Sequence, residues 1–142
     1  MSVFVVDASV VLKWFFPGTH SADARRLLAT AHQYVAPDLL FPEVGSAVWE
    51  RVRRGELSSD EGQRLIDDIA DVAVETIAMR GLIGEACAIA MASGQTVYDS
   101  TYLALAVRLD TQLVTADQRL WNAVSTNAVL AAHLCMVDTF TA

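Results

Sequence analysis

Positive charge is scarce in this chain. Ten Lys and Arg residues face 17 Asp and Glu residues, for a formal net charge of −7 at pH 7, and Lys13 is the only lysine. A protein that grips nucleic acid by phosphate neutralisation alone is basic, so the chain as a whole does not work that way. Cysteine is limited to Cys87 and Cys135, each in apolar surroundings and without metal-ligand spacing. A disulfide scaffold is thereby excluded, and two buried thiols in a reducing compartment are expected. His20, His32 and His133 are scattered, which leaves no histidine-based zinc site. No run approaches the ~20 uninterrupted apolar residues of a membrane span. A charged start followed by a long apolar stretch is also missing, because Asp7 arrives first; a cytoplasmic protein is expected.

What is present reads as one compact globular domain over residues 1–142, with 54% hydrophobic and 19% charged residues and only three prolines. That apolar fraction is high for so short a chain and points to a patch covered by a partner or a second copy.

Residues 3–6 (Val-Phe-Val-Val) form a short β-branched run ended by Asp7, the pattern of a buried parallel strand. A helix is expected over 10–16, stopped by Pro17-Gly18. A second is expected over 22–32 behind Ser21 as N-cap. A brief strand over 34–36 precedes a long helix over 40–54, with Pro42 tolerated in its first turn and Gly55 ending it. Ser58 or Ser59 caps a further helix carrying Leu65, Ile66 and Ile69 at helical spacing. A strand over 72–77, helices over 81–92 and 99–109, a strand over 112–115, a helix over 117–123 and a last strand over 134–137 complete the pattern. Strands alternating with helices predict an α/β fold, a short parallel sheet with helices on both faces.

The acids occupy particular places in that pattern. Ligands of an open parallel sheet bind beyond the carboxyl ends of its strands. Asp7 follows the first strand directly, and Asp117 follows the strand ending at Thr115. Asp99 opens a helix and Glu43 lies in the first turn of another, so all four can meet at one edge. Each also has an ordinary role as a helix-start acid that offsets the dipole. The neighbours of Asp99 (Tyr98, Tyr102, Leu103, Leu105) are predominantly apolar and predict partial burial. Carboxylates crowded out of water shift upward in pKa unless a cation joins them, and no lysine is near these motifs. Oxygen donors alone suit Mg²⁺ or Mn²⁺.

Four segments carry a resemblance: Val5-Val6-Asp7-Ala8-Ser9-Val10, Pro42-Glu43-Val44, Tyr98-Asp99-Ser100-Thr101-Tyr102-Leu103-Ala104-Leu105-Ala106 and Leu113-Val114-Thr115-Ala116-Asp117. In their order and spacing the chain resembles the PIN-domain ribonucleases, most closely the VapC-type toxins of toxin–antitoxin pairs. The resemblance covers nearly the whole chain and implies a three-layer α/β/α fold and a divalent-metal-dependent endoribonuclease. It implies Asp7, Glu43, Asp99 and Asp117 as the metal-site and catalytic residues, with Ser9 and Thr115 as their hydrogen-bonding support. A carboxylate not fully engaged with metal could accept the water proton; Glu43 is the candidate, and which carboxylate does so stays open. The metal would be Mg²⁺ or Mn²⁺, and the partners an RNA substrate, an antitoxin and a second copy of the chain.

Two basic groups bear on RNA. Arg51, Arg53 and Arg54 lie together, while Lys13, Arg25 and Arg26 form a second group. The arginines serve equally as phosphate contacts or as helix-end residues that favour the dipole. Asp60, Glu61, Asp67, Asp68, Asp71 and Glu75 make one segment strongly acidic, which suits solvent or a basic partner rather than RNA.

Rival classes fail on specific absences. A phosphoacceptor receiver domain needs a lysine at the end of a late strand. A haloacid-dehalogenase-type phosphatase needs a second Asp at position 9, where Ser9 stands. A dinucleotide-binding module needs a glycine-rich turn after the first strand. An RNA-processing nuclease without an antitoxin, and a non-catalytic metal- or RNA-binding module of the same fold, stay open.

Overall fold

The computed structural model describes residues 2–141. Five short strands form one parallel sheet in the order β3-β2-β1-β4-β5, with β1 Val3–Val6, β2 Gln33–Pro37, β3 Val74–Ile77, β4 Leu113–Thr115 and β5 Leu134–Met136. The first three strands step outward one way from β1, and β4 and β5 step outward the other way. The chain therefore reverses direction between β1 and β4, and this is where a parallel sheet opens a crevice at its carboxyl edge.

The helices are α1 Ala8–Phe15, α2 Ser21–Leu27, α3 Leu40–Arg53, α4 Ser59–Ala70, α5 Ile83–Ser93, α6 Val97–Arg108, α7 Gln118–Val124 and the single turn α8 Ala128–Ala131. The right-handed crossover rule sets α1 to α4 on one face and α5 and α6 on the other. Helix α6 lies over β1, β2 and β4 with α5 packed outside it. Seven consecutive residues of α6, Ser100 to Ala106, are buried, so the helix is enclosed on every side along that stretch. Since α6 must deliver the chain to the start of β4, it runs opposite to the strands, and its N-terminus lies at their carboxyl edge. The core between the layers is built from Val5, Val6, Val35, Val114, Leu103 and Leu105 with Val10, Val11, Leu40 and Val44.

Several boundaries differ from the sequence expectation. Helix α2 ends at Leu27, and residues 28–31 are turn and bend rather than helix. Ser21 is not its N-cap: His20 holds that place in a left-handed conformation (φ 66°), and the Ser21 hydroxyl donates back to the Phe16 carbonyl at 2.9 Å. Strand β3 begins at Val74, and a 3₁₀ turn over Met79–Leu82 precedes α5. Helix α6 begins at Val97, behind Thr96 rather than at Asp99. Both thiols are free and half-buried rather than fully buried. Among the described residues no helix is long and apolar enough to cross a membrane.

Candidate metal centre

Asp7 leaves β1 and caps α1. Its Oδ1 accepts from the Ser9 hydroxyl at 2.5 Å and from the Val10 amide at 3.3 Å, and its Oδ2 accepts from the Thr115 hydroxyl at 2.6 Å. The parallel register that sets Val6 beside Val114 brings Thr115 to Asp7. Ser9 is itself held, because its Oγ accepts the Ala116 amide at 2.9 Å. Asp7 is only 8% exposed, and burial raises its pKa from 3.8 to about 6. The hydrogen bonds pull downward against that shift, and the Asp117 charge adds to it.

Asp117 caps α7, its Oδ1 accepting the Leu120 amide at 3.1 Å. Glu43 lies in the first turn of α3, with its Oε1 taking a 2.6 Å hydrogen bond from the Tyr102 hydroxyl. Partial burial raises the Glu43 pKa; the Tyr102 bond lowers it and the Asp99 charge raises it. Tyr102 is pushed upward by burial and by Glu43, so its phenol stays protonated and donating. Asp99 stands at the third position of α6. Thr96 satisfies the Asp99 amide at 3.0 Å, which leaves the Asp99 carboxylate free of capping duty.

Two features were not visible from the sequence reading. Tyr102 counts there only as an apolar neighbour of Asp99. Arg119 is the other: its Nη2 lies 3.2 Å from Asp99 Oδ2 and 3.4 Å from Asp117 Oδ2. The absence of a lysine from the motifs therefore does not leave the acids without a cation. The available signal was Asp117-Gln118-Arg119, an arginine within the turn that Asp117 caps.

The four acids thus form a sequence along the sheet edge. Asp7 feels Asp117, Arg119 joins Asp117 to Asp99, and Asp99 feels Glu43. Among the described residues no three acidic, histidine or cysteine side chains stand close enough to grip an ion in this arrangement. The donor chemistry nevertheless fits a hard divalent ion. The carboxylates offer only oxygen, and Asp7 and Glu43 carry the raised pKa of buried acids short of positive charge. Among the described residues Arg119, with its side chain 67% exposed, is the cation that bridges the row.

Of the basic residues, Lys13 and Arg51 line an open cavity shared with Ser9 and Asp117. Arg53 and Arg54 pair instead with Glu50, as helix-end residues do.

The PIN domain profile matches residues 4–125, from β1 through α7. The chain belongs to the PIN-domain family. This PIN domain is 32% identical over 118 residues to Ribonuclease VapC3 of Pyrobaculum aerophilum, covering 82% of this chain and 90% of that protein. It is equally 32% identical over 118 residues to Ribonuclease VapC9 of Mycobacterium tuberculosis, covering 83% and 88%. Its fold matches the crystal structure of PAE2754 from Pyrobaculum aerophilum with a TM-score of 0.69 at 22% identity, over 98% of this chain and 94% of that one. A toxin–antitoxin complex from Klebsiella pneumoniae contains a chain that matches with a TM-score of 0.60 at 16% identity, over 83% and 89%.

Proposed function

We propose that this PIN domain is a divalent-metal-dependent endoribonuclease, the cytoplasmic toxin of a toxin–antitoxin pair. The observation that carries the reading is the row of four carboxylates, Asp7, Glu43, Asp99 and Asp117, drawn from β1, α3, α6 and the β4–α7 turn to one edge of the sheet. The VapC ribonucleases with which it shares 32% identity favour RNA as the substrate class.

Asp7, Asp99 and Asp117 would hold Mg²⁺ or Mn²⁺, with Glu43 at the margin. When bound there, such an ion would lower the pKa of a water and offset charge developing on the phosphate. Ser9 and Thr115 fix both oxygens of Asp7, so that its orientation is set before substrate arrives. Tyr102 engages Oε1 of Glu43 and leaves Oε2 to take a proton from the attacking water. A carboxylate with a raised pKa is a better base than an exposed one, and partial burial gives Glu43 that property. The exposed acidic residues of α4, Asp60, Glu61, Asp67 and Asp68, favour a basic partner such as an antitoxin on that side. Exposed apolar residues on α5 and the start of α6, Met91 and Tyr98 among them, favour a homodimer.

The test is controlled expression in a bacterial host with new RNA ends mapped across the transcriptome, beside Asp99→Asn. Growth arrest with discrete new ends for the unmodified protein alone supports the reading. Identical behaviour of the two proteins, with no new ends, removes it. Purified protein should cleave RNA with Mg²⁺ or Mn²⁺ and stop when EDTA is added.

A further inference from the structure

The arginines and the lysine beside the acidic edge divide by what they already bind. Arg53 donates to Glu50 through Nε at 3.1 Å, and Arg54 lies 3.4 Å from the same carboxylate. Lys13 and Arg51 project instead from α1 and α3 into one open cavity of about 320 Å³, whose other wall includes Ser9 and Asp117. Among the described residues Lys13 has no ion-pair partner. Arg51 reaches Glu56 only at 3.6 Å, an exposed pair that binds weakly. Its guanidinium sits over the Phe16 ring, 3.7 Å from the centroid. That contact fixes the guanidinium plane and keeps it beside the cavity.

In a chain of net charge −7, two loosely committed cations and a stacked aromatic share a cavity with Asp117, one end of the acidic row. The combination matches the recognition of single-stranded RNA, in which cations take the phosphate and an unstacked base lies on an aromatic or guanidinium plane. A base held in a duplex is not free to enter.

We infer that the Lys13–Phe16–Arg51 cavity seats the nucleotide adjoining the scissile bond of single-stranded RNA. Lys13 and Arg51 bind its phosphate, and its base stacks on the guanidinium that Phe16 backs. The inference rests on the ribonuclease reading, and it gives Arg53 and Arg54 no part in binding.

The test is fluorescence anisotropy of a labelled 12-nucleotide oligouridylate with Asp99→Asn protein in Mg²⁺, as a function of salt, alongside cleavage rates of the unmodified protein. Lys13→Ala and Arg51→Ala should each weaken binding about five- to tenfold and reduce the log–log salt slope by about 0.7, the share of one phosphate contact on a single strand. Arg51→Lys should restore the slope but not the full affinity, because the stacking plane is lost. Arg53→Ala and Arg54→Ala should stay within about twofold of their parent, since neither loses a phosphate contact. Unchanged binding by Lys13→Ala and Arg51→Ala, in a protein that still cleaves RNA, would overturn the seat and leave the nuclease reading standing. A protein that neither binds the oligonucleotide nor cleaves RNA would remove both.

Discussion

Asp7 is the most deeply buried of the four carboxylates at the site. Its carboxylate accepts three hydrogen bonds and is still raised to about 6, because desolvation outweighs them. The sign of the consequence follows from linkage. A carboxyl whose folded pKa exceeds its unfolded value stabilises the fold when protonated, and that contribution is lost as pH rises from about 4 through about 6. Metal-free protein should therefore lose on the order of 2 kcal/mol relative to Asp7→Asn across that window, most of the full shift at about 1.4 kcal/mol per pKa unit. Urea titrations of both proteins at pH 4 and pH 7 in EDTA would show it; equal pH dependence would refute the assignment. Tyr102→Phe tests the neighbouring contact. Without its hydrogen bond the Glu43 pKa rises further, so the acid limb of the cleavage profile should move to higher pH. A drop in kcat of about tenfold with KM little changed is expected, part of the 10²- to 10⁴-fold range of general-base catalysis. An unmoved profile would make Tyr102 a packing residue only.

At the scale of elements, the α3–α4 hairpin shows which local rules can be read from sequence. Ser58 and Glu61 form a reciprocal capping box, with the Glu61 amide 3.0 Å from Ser58 Oγ and the Ser58 amide 3.0 Å from Glu61 Oε1. The Ser-x-x-Glu pattern ahead of apolar positions announces this start. Gly62 is different. A Cβ placed there would lie 2.7 Å from Val52 Cγ2, so the glycine exists to let α4 approach α3. Gly62→Ala gains about 1 kcal/mol of helix propensity. Overpacking against a stiff β-branched neighbour costs about 1–3 kcal/mol. A net loss of about 1 kcal/mol is expected, the difference between those two effects. Thermal unfolding decides it, and a stabilised variant would mean that Val52 yields freely. The misplaced starts of α2 and α6 have a common cause. Several polar residues near each start can cap, and tertiary contacts choose among them. Ser21 turns back to Phe16, while Thr96 takes the cap that Asp99 would otherwise fill.

Across the whole molecule, the reversal of chain direction between β1 and β4 is what gathers the acids. Asp7 and Asp117 leave adjacent strands, Glu43 enters the helix that follows β2, and Asp99 starts the helix that runs back towards β4. A cation that binds this edge couples four separate segments, so it should stabilise the entire fold. Saturating Mn²⁺ or Mg²⁺ at a hundredfold over Kd should add about 2.7 kcal/mol, read as a rise in Tm. Asp99→Asn should lose most of that rise. Arg119→Ala should bind the ion more tightly than the parent, because the guanidinium no longer competes for Asp99 and Asp117. Weaker binding in that variant would show that Arg119 helps to hold the site rather than fills it.

The α/β class and the strand-end placement of Asp7 and Asp117 were determined by sequence alone, because hydrophobic period and turn residues are local properties that each segment carries with it. The same holds for the first-turn position of Glu43. Asp99 was readable as a helix-start acid, though not its true depth within the helix. Only the tertiary structure decided which side chains meet across segments: Tyr102 on Glu43, Thr115 on Asp7, and Arg119 between Asp99 and Asp117. It also separated Lys13 and Arg51, which share the cavity, from Arg53 and Arg54, which are held by Glu50. Such pairings depend on crossover direction, strand register and the competition among nearby charges, and none of these is encoded in any one stretch of chain.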